Sequence, residues 1–330
     1  MNFQGKILIT AAAIAGFAVP TAQAETTLTL VYPFPDQLIY TKQCKELVDK
    51  VNAGAKGLVK VDVKPFNSIT MFEQPTAVSK GVVDIACTPA AFYARAIPEN
   101  EAFSTSNSSP AKVRANGGMQ MMDDLHQKLF NMKYLGWTES GGRFRIYLKD
   151  APKFNAQGMP DFTGIKMRDN PIYGAFFRAM NASTHNMAST EVYPALEKGV
   201  VNASAWATIG LKDFKWDQFL RHGVEPEFYQ TDIGWVMNLD KWKSLSPDAQ
   251  KRLLEIVIAH EAASRAELEQ LAREERATLV KEGMKFHTVP NSKAYLELAV
   301  NSAYDRMTQR IKDSKRDTAH VAKLRELFIE

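Results

Sequence analysis

Arg168 closes the short run Gly164-Ile165-Lys166-Met167-Arg168. A guanidinium at the end of a strand suits one kind of chemistry. It stays charged, offers two parallel N–H donors at carboxylate spacing, and so fixes the direction in which an acid binds. Clefts in parallel sheets open at the carboxyl ends of the strands, where such a clamp would stand. The residues alone leave a second use open, an ion pair with the adjacent Asp169. The other reactive residue types are not arranged for standard catalysis. The six histidines have no ligand spacing, and His260-Glu261 is not followed by a second His in the H-E-x-x-H pattern. There is no G-x-S-x-G elbow, no G-x-x-x-x-G-K-[ST] loop and no G-x-G-x-x-G after the first strand. Neither Cys44 nor Cys87 lies in a C-x-x-C motif. The sequence asks for no metal and no cofactor, and points away from an enzyme.

The elements that would position Arg168 follow from periodicity. Thr27–Tyr32 alternates like a strand and is broken by Pro33-Phe34-Pro35. Ile39–Val51 places Ile39, Cys44, Leu47, Val48 and Val51 on one helical face. A strand at 58–63, a short helix at 74–80 ended by Gly81, and a strand at 82–87 complete a β-α-β-α-β order, which predicts a largely parallel sheet flanked by helices. A helix at 119–131 and strands at 133–137 and 144–148 follow. The same rhythm then repeats: strand 164–168, a helix with Pro171 at its first position and running to about Met180, strand 184–187, helix 192–198 closed by Gly199, and strand 200–205. Ser246-Pro247-Asp248 caps a helix that can run unbroken to Lys281, roughly 50 Å at 1.5 Å per residue. That is long enough to lie across two lobes. A last helix is predicted from the cap Asn291-Ser292 to about Lys312.

Composition sets the compartment and the class. Met1–Lys6, an apolar Ile7–Val19 too short to span a bilayer, and Ala22-Gln23-Ala24 before Glu25 have the three-part pattern of a secretory signal peptide cleaved after Ala24. No Cys follows the apolar run, which argues against a lipid anchor. The roughly 300 remaining residues suffice for two lobes. With 45% hydrophobic residues and a net charge of +4 spread among acids, the chain reads as globular and carries no nucleic-acid surface. Cys44 and Cys87 can pair in an oxidising compartment or remain buried thiols.

Four segments carry a resemblance to a known family. Gly164–Arg168, Pro171 and the helix Ala175–Ala182 resemble the signature of the TRAP transporter solute-binding subunits of the DctP type. Glu191–Asn202 continues the likeness, as do Ser79–Ile85 and Leu245–Gln250. The resemblance covers most of the mature chain, and Gly164–Asn202 is its specific part. It implies an α/β, type II periplasmic binding protein fold of two lobes, joined by strands and one long helix, that closes like a Venus flytrap on a ligand. Lobe I is expected over 25–149 plus about 233–265, and lobe II over 150–232 plus about 266–330. The implied partners are a small organic acid and the integral membrane subunits of an ion-driven transporter, in the periplasm, with the chain acting as a monomer.

The resemblance also assigns roles. Arg168 matches the arginine that clamps the substrate carboxylate. A second arginine often assists, and Arg143 and Arg145, two apart on one strand and so on one face, compete for that place, with Arg145 favoured. Many members carry Glu-Asn-Pro after Val-Asp-Gly, with the Asn on the ligand. This chain instead reads Val201-Asn202-Ala203-Ser204-Ala205-Trp206, so Trp206 stands at the Asn position. Some branches with Trp there bind keto or hydroxy acids, a few with a cation, but they tend to carry Glu before the Trp where this chain has Ala205. That departure argues against a bridging metal. An indole in the cleft adds apolar area and one donor, which points to a monocarboxylate (keto, hydroxy or aromatic) rather than a C4-dicarboxylate, although core packing would explain Trp206 equally simply. Tyr32 and Phe34 after the first strand, Phe92 and Tyr93 after the third, and Tyr173 would complete an apolar pocket. A C4-dicarboxylate-binding subunit of the same type is the alternative function, with a sensor subunit of the same fold and a periplasmic hydrolase behind it.

Overall fold

The computed structural model describes Met1 and residues 25–330; the leader segment lies outside the described residues. In chain order the elements are β1 (Thr26–Val31), α1 (Ile39–Gly54), β2 (Val59–Val63), α2 (Gln74–Ser79), β3 (Ile85–Pro89), α3 (Glu101–Thr105), α4 (Pro110–Ala115), α5 (Gly118–Phe130), β4 (Met132–Glu139) and β5 (Phe144–Leu148). There follow β6 (Lys153–Phe154), β7 (Pro160–Asp161), β8 (Lys166–Asp169), α6 (Gly174–Ala179), β9 (Ser183–Asn186), α7 (Val192–Glu197), β10 (Ala203–Ala207), β11 (His222–Glu225) and β12 (Ile233–Asn238). The chain ends with α8 (Leu239–Ser244), α9 (Pro247–Lys281), β13 (Lys285–Thr288), α10 (Ser292–Asp313) and α11 (His320–Phe328).

Two large sheets form, one per lobe, beside a two-stranded ribbon of β6 and β7. The first has the order β2-β1-β3-β12-β4, the second β13-β11-β5-β10-β8-β9. In the first, β1 runs parallel to β2 and β3, while β12 is antiparallel to β3 and β4. In the second, β8 runs parallel to β9 and β10, and the returning strand β5 is antiparallel to β10 and β11. The parallel β-α-β arrangement expected from the sequence is therefore present in both halves, each crossed by an antiparallel strand arriving from the other lobe.

This exchange moves the expected boundaries. β5 pairs in the second sheet, so the chain first crosses between Glu139 and Phe144 rather than at 149/150. It crosses back between β11 and β12. The two crossing segments hold each other: Arg143 bridges Gln230, and the Thr231 N–H donates to the Gly142 carbonyl at 2.7 Å. The carboxyl-terminal stretch also departs from the expected division. Tyr295 and Ala299 of α10 join the core of the second lobe, but Tyr304, Met307 and Ile311, with Leu324 and Phe328 of α11, are buried among Phe103, Met122 and Trp137 of the first.

The long helix α9 begins as its cap dictates, with the Ser246 hydroxyl accepting the Ala249 N–H at 3.2 Å. Val257 and Leu253 pack into the core, and Glu261 accepts the Trp137 N–H of β4 at 2.8 Å. About four turns beyond, Glu275 accepts the N–H groups of Gly210 and Leu211 in the second lobe at 2.7 and 2.9 Å. One helix thus braces both lobes. Two local expectations fail. The run 82–84 does not pair, because the Asp84 carboxylate accepts both the Thr29 N–H and hydroxyl and so ends the loop just before β3. Pro171 does not open α6, which starts only at Gly174 after a turn tied by the Asn170 side chain to the Ile172 N–H.

Candidate ligand-binding site

Arg168 is the third residue of β8 and is 2% exposed. Its Nε–H and one Nη2–H donate to the Met187 carbonyl at 3.1 and 2.9 Å. One Nη1–H donates to the Tyr173 hydroxyl at 2.6 Å, which in turn donates to the Ala205 carbonyl at 2.8 Å. The indoles of Trp206 and Trp216 flank the guanidinium, with ring centroids 6.0 and 5.9 Å from its carbon. Among the described residues no carboxylate pairs with Arg168. Asp169 turns away to its neighbouring N–H on Asn170 and to Arg178. Of the five N–H groups of this buried cation, three are held by neutral oxygens, and one on each Nη remains. A desolvated charge without a counter-charge is costly, and the two remaining donors have the fork spacing of a carboxylate.

The cation faces a narrow cavity between the lobes, with about 420 Å³ of empty space including its mouth. Phe34, Phe92, Met71 and Pro89 of the first lobe and Phe144, Ile172 and Trp206 of the second form apolar walls. Phe34 meets Trp206 edge to face across the gap, centroid to centroid 6.1 Å, and Phe92 at 6.2 Å on its own side. Trp206 is packed in turn against Phe214 and Trp216. The polar lining is sparse: Arg168, Tyr40, Asn170, Ser189, Thr231 and Asp232. The Ser189 and Thr231 hydroxyls and the Trp206 Nε1–H have no protein partner. Asp232, 1% exposed, accepts the Ala91 N–H at 2.8 Å through Oδ2. Burial pushes its carboxyl up to about 7, against the pull of that N–H. Burial likewise pushes the Tyr173 hydroxyl up to about 12, so it stays a neutral relay beside Arg168.

The structure therefore brings Arg168, Trp206, Phe34 and Phe92 to one cavity and places Tyr173 behind Arg168. It does not bring Arg145 there. Arg145 is 1% exposed and held by Glu225, at 3.0 Å, and by Glu227, with its guanidinium carbon 4.6 Å from the centre of the Phe286 ring. Both bonds come from its Nη2, while its Nε and Nη1 are buried without a protein partner, and it does not line the cavity. Arg143 does not fill the place either: it donates to the Phe228 carbonyl and borders a depression beside α9. Tyr32 also points elsewhere, donating to Asp36 at 2.6 Å, and Tyr93 pairs with His126 at 2.9 Å in the first core. Tyr40, Phe144, Asn170, Ser189, Trp216, Thr231 and Asp232 carried no sequence signal of this role. Thr231 and Asp232 precede a strand whose continuous apolar run has no period, and Trp216 lies in an irregular loop.

Cys44 and Cys87 are buried free thiols, both held up by burial and lying side by side beneath this cavity near Trp235. Among the described residues no group of three or more His, Cys, Asp or Glu side chains could hold a metal ion, and no helix is long and apolar enough to cross a membrane.

Comparison with known proteins places this geometry. Residues 32–310 match the family model of the bacterial extracellular solute-binding proteins, family 7 (DctP). A solute-binding protein of Sulfitobacter sp. (strain NAS-14.1) is 25% identical over 261 residues, covering 75% of this chain and 77% of its own length. Three solved structures share the fold. A TRAP periplasmic solute-binding protein of Desulfovibrio salexigens with bound orotic acid is similar at a TM-score of 0.78 and 17% identity, covering 92% of this chain and 97% of the other. A Bordetella pertussis extracytoplasmic solute receptor binding pyroglutamic acid follows at 0.73 and 17%, covering 92% and 99%. A Bordetella bronchiseptica TRAP solute-binding protein with co-purified calcium and picolinate is similar at 0.75 and 18%, covering 92% and 93%.

Proposed function

Because the chain belongs to the bacterial extracellular solute-binding proteins of family 7, the DctP-type TRAP subunits, we propose that it captures a small organic monocarboxylate between its lobes and delivers it to membrane TRAP subunits. The leader removed after Ala24 would place it in the periplasm, acting as a monomer. The observation that carries the ligand class is the buried Arg168 fork with two unspent donors and no protein carboxylate opposite it. A ligand carboxylate supplies the missing counter-charge, and two charge-assisted bonds then set its direction.

A monocarboxylate fits better than a dicarboxylate. Arg168 is the one cationic side chain among the described residues lining the cavity, and the one acidic side chain there, Asp232, would give a second carboxylate no counter-charge. Arg145, which could have served the second group, is occupied by Glu225 and Glu227. The apolar and aromatic walls favour a ligand with an apolar or ring portion. The similar proteins named above bind ring acids such as pyroglutamic acid, picolinate and orotic acid, which supports that reading. Closure would follow from contacts that both lobes make only in the shut form, such as those of Phe34 and Trp206 on one ligand.

The test is a thermal-shift and calorimetric screen of the mature protein against keto, hydroxy, cyclic, aromatic and dicarboxylic acids, repeated with Arg168→Ala. A ligand at about 100 times its dissociation constant adds about 2.7 kcal/mol to stability. A monocarboxylate that stabilises the wild type and not the variant supports the proposal. Stabilisation by dicarboxylates alone, or equal binding to the variant, would overturn it.

A further inference from the structure

The cavity has a second polar pole whose chemistry is opposite to that of Arg168. Asp232 sits just before β12, where the chain re-enters the first lobe, and its backbone and side chain are both tied down. Its carbonyl accepts the Ala90 N–H at 2.9 Å, and its Oδ2 accepts the Ala91 N–H at 2.8 Å, at the start of the short 3-10 helix Ala90–Tyr93. The carboxyl is thereby fixed at the cavity wall, with its own backbone N–H also close by, while no other described residue donates to Oδ1. The neighbouring Thr231 hydroxyl is likewise without a partner. Around them the wall is apolar: Pro89, Phe92, Ile233 and Met71. In such apolar surroundings a carboxylate oxygen is stabilised by any further group that donates to it.

Capping the 3-10 helix accounts for Oδ2 but not for the free oxygen, nor for the choice of a carboxylate where an amide would cap as well. The ligand can supply the donor. Resting on the carboxylate-capture reading above, we propose that Asp232 is a specificity residue that selects acids presenting a hydrogen-bond donor, a hydroxyl or an N–H, in addition to the carboxylate held by Arg168. Rejection of acids without that donor follows from the physics of buried polar groups. A site built to accept from a donor discriminates strongly against an analogue lacking it, because the acceptor is then buried unpaired. The burial that holds the Asp232 carboxyl near neutrality makes the donor the more needed, since a donor stabilises the ionised form in place of water.

The experiment compares matched acids on the full mature chain by calorimetry: pyroglutamate against cyclopentanecarboxylate, and mandelate against phenylacetate. In the wild type the donor-bearing member of at least one pair is expected to bind tenfold tighter or more. The second arm uses Asp232→Asn, whose Oδ1 can still cap Ala91 while the free atom becomes an NH2 donor, so the cap is kept and only the polarity of the open position inverts. There the preference should shrink by tenfold or reverse toward acceptor-bearing acids such as phenylglyoxylate. Equal affinity within each pair in the wild type, which needs no variant, overturns the inference, as does a preference that survives unchanged in a folded Asp232→Asn. If no acid of either type binds and Arg168→Ala behaves like wild type, the carboxylate-capture reading fails, and this inference with it. If acids bind through Arg168 but without regard to the donor, only the role of Asp232 fails.

Discussion

The Arg168 guanidinium and the Tyr173 hydroxyl lie 2.6 Å apart, and Tyr173 passes the interaction on to the Ala205 carbonyl of β10, one residue before Trp206. The phenol therefore fixes the clamp to the strand that also carries the aromatic wall. Tyr173→Phe keeps the ring packed against Phe144 and Phe177 and removes only the relay. Ligand affinity should fall about tenfold or more, the worth of a hydrogen bond to a charged group, with little change in the far-ultraviolet spectrum. An unchanged dissociation constant would show that Met187 alone positions Arg168.

Arg145 is ion-paired with Glu225 and Glu227 and does not line the cavity. Replacing it by Met removes one of the two arginines on Glu225, leaving Arg276, and the ion-pair partner of Glu227, but keeps a stem over Phe286. Because both glutamates are partly exposed, the loss should be on the order of 1–3 kcal/mol, read as a shift in denaturant midpoint. Affinity for any acid found in the screen should remain within twofold of wild type. A tenfold loss of affinity at unchanged stability would return Arg145 to the binding site.

Gly174 is required by Asp169. A Cβ at this first residue of α6 would run into the Asp169 carboxylate, which is backbone-linked to Arg168 and caps the turn at Asn170. Gly174→Ala should therefore cost about 1–3 kcal/mol through overpacking and weaken ligand binding by displacing the clamp. If its melting temperature matched wild type, the turn would be looser than its contacts imply.

The buried histidines set an acid limit. Burial pushes His126 down from 6.5 to about 4, against the Met122 carbonyl to which it hydrogen-bonds, and His260 behaves in the same way. A depressed histidine contributes stability that is present above its unfolded value and lost as pH falls through the folded one. Stability from these groups should thus decline between about pH 6.5 and pH 4. Urea melts of wild type and His126→Gln across that range should show a shallower decline for the variant, and the His126 imidazole resonances should stay those of the neutral ring at pH 5. A His126 titrating near 6.5 would refute the assignment.

The two-lobed α/β plan, the long helix from its Ser246 cap, and a buried arginine near the end of β8, Arg168, were legible in the sequence because each is written locally. Alternation, helical periodicity, a cap and a strand-end arginine in a recognisable stretch all act over a few residues. Phe34 and Phe92, aromatics at strand ends, and Trp206, at the position matching the family's Asn, all reach the cavity. What decided the rest was long-range pairing. β5 belongs to the second sheet because its backbone finds partners in β10 and β11, and no local pattern distinguishes that from pairing with β4. The same exchange takes Arg145 out of reach of the cavity, since alternation fixes which residues share a face but not what that face meets. Asp232 became visible only when the second crossing brought residues 230–233 against Ala90 and Ala91. A single aspartate before an unpatterned apolar strand carries no signal, and its burial, its fixed orientation and its unspent oxygen are properties of the tertiary structure alone.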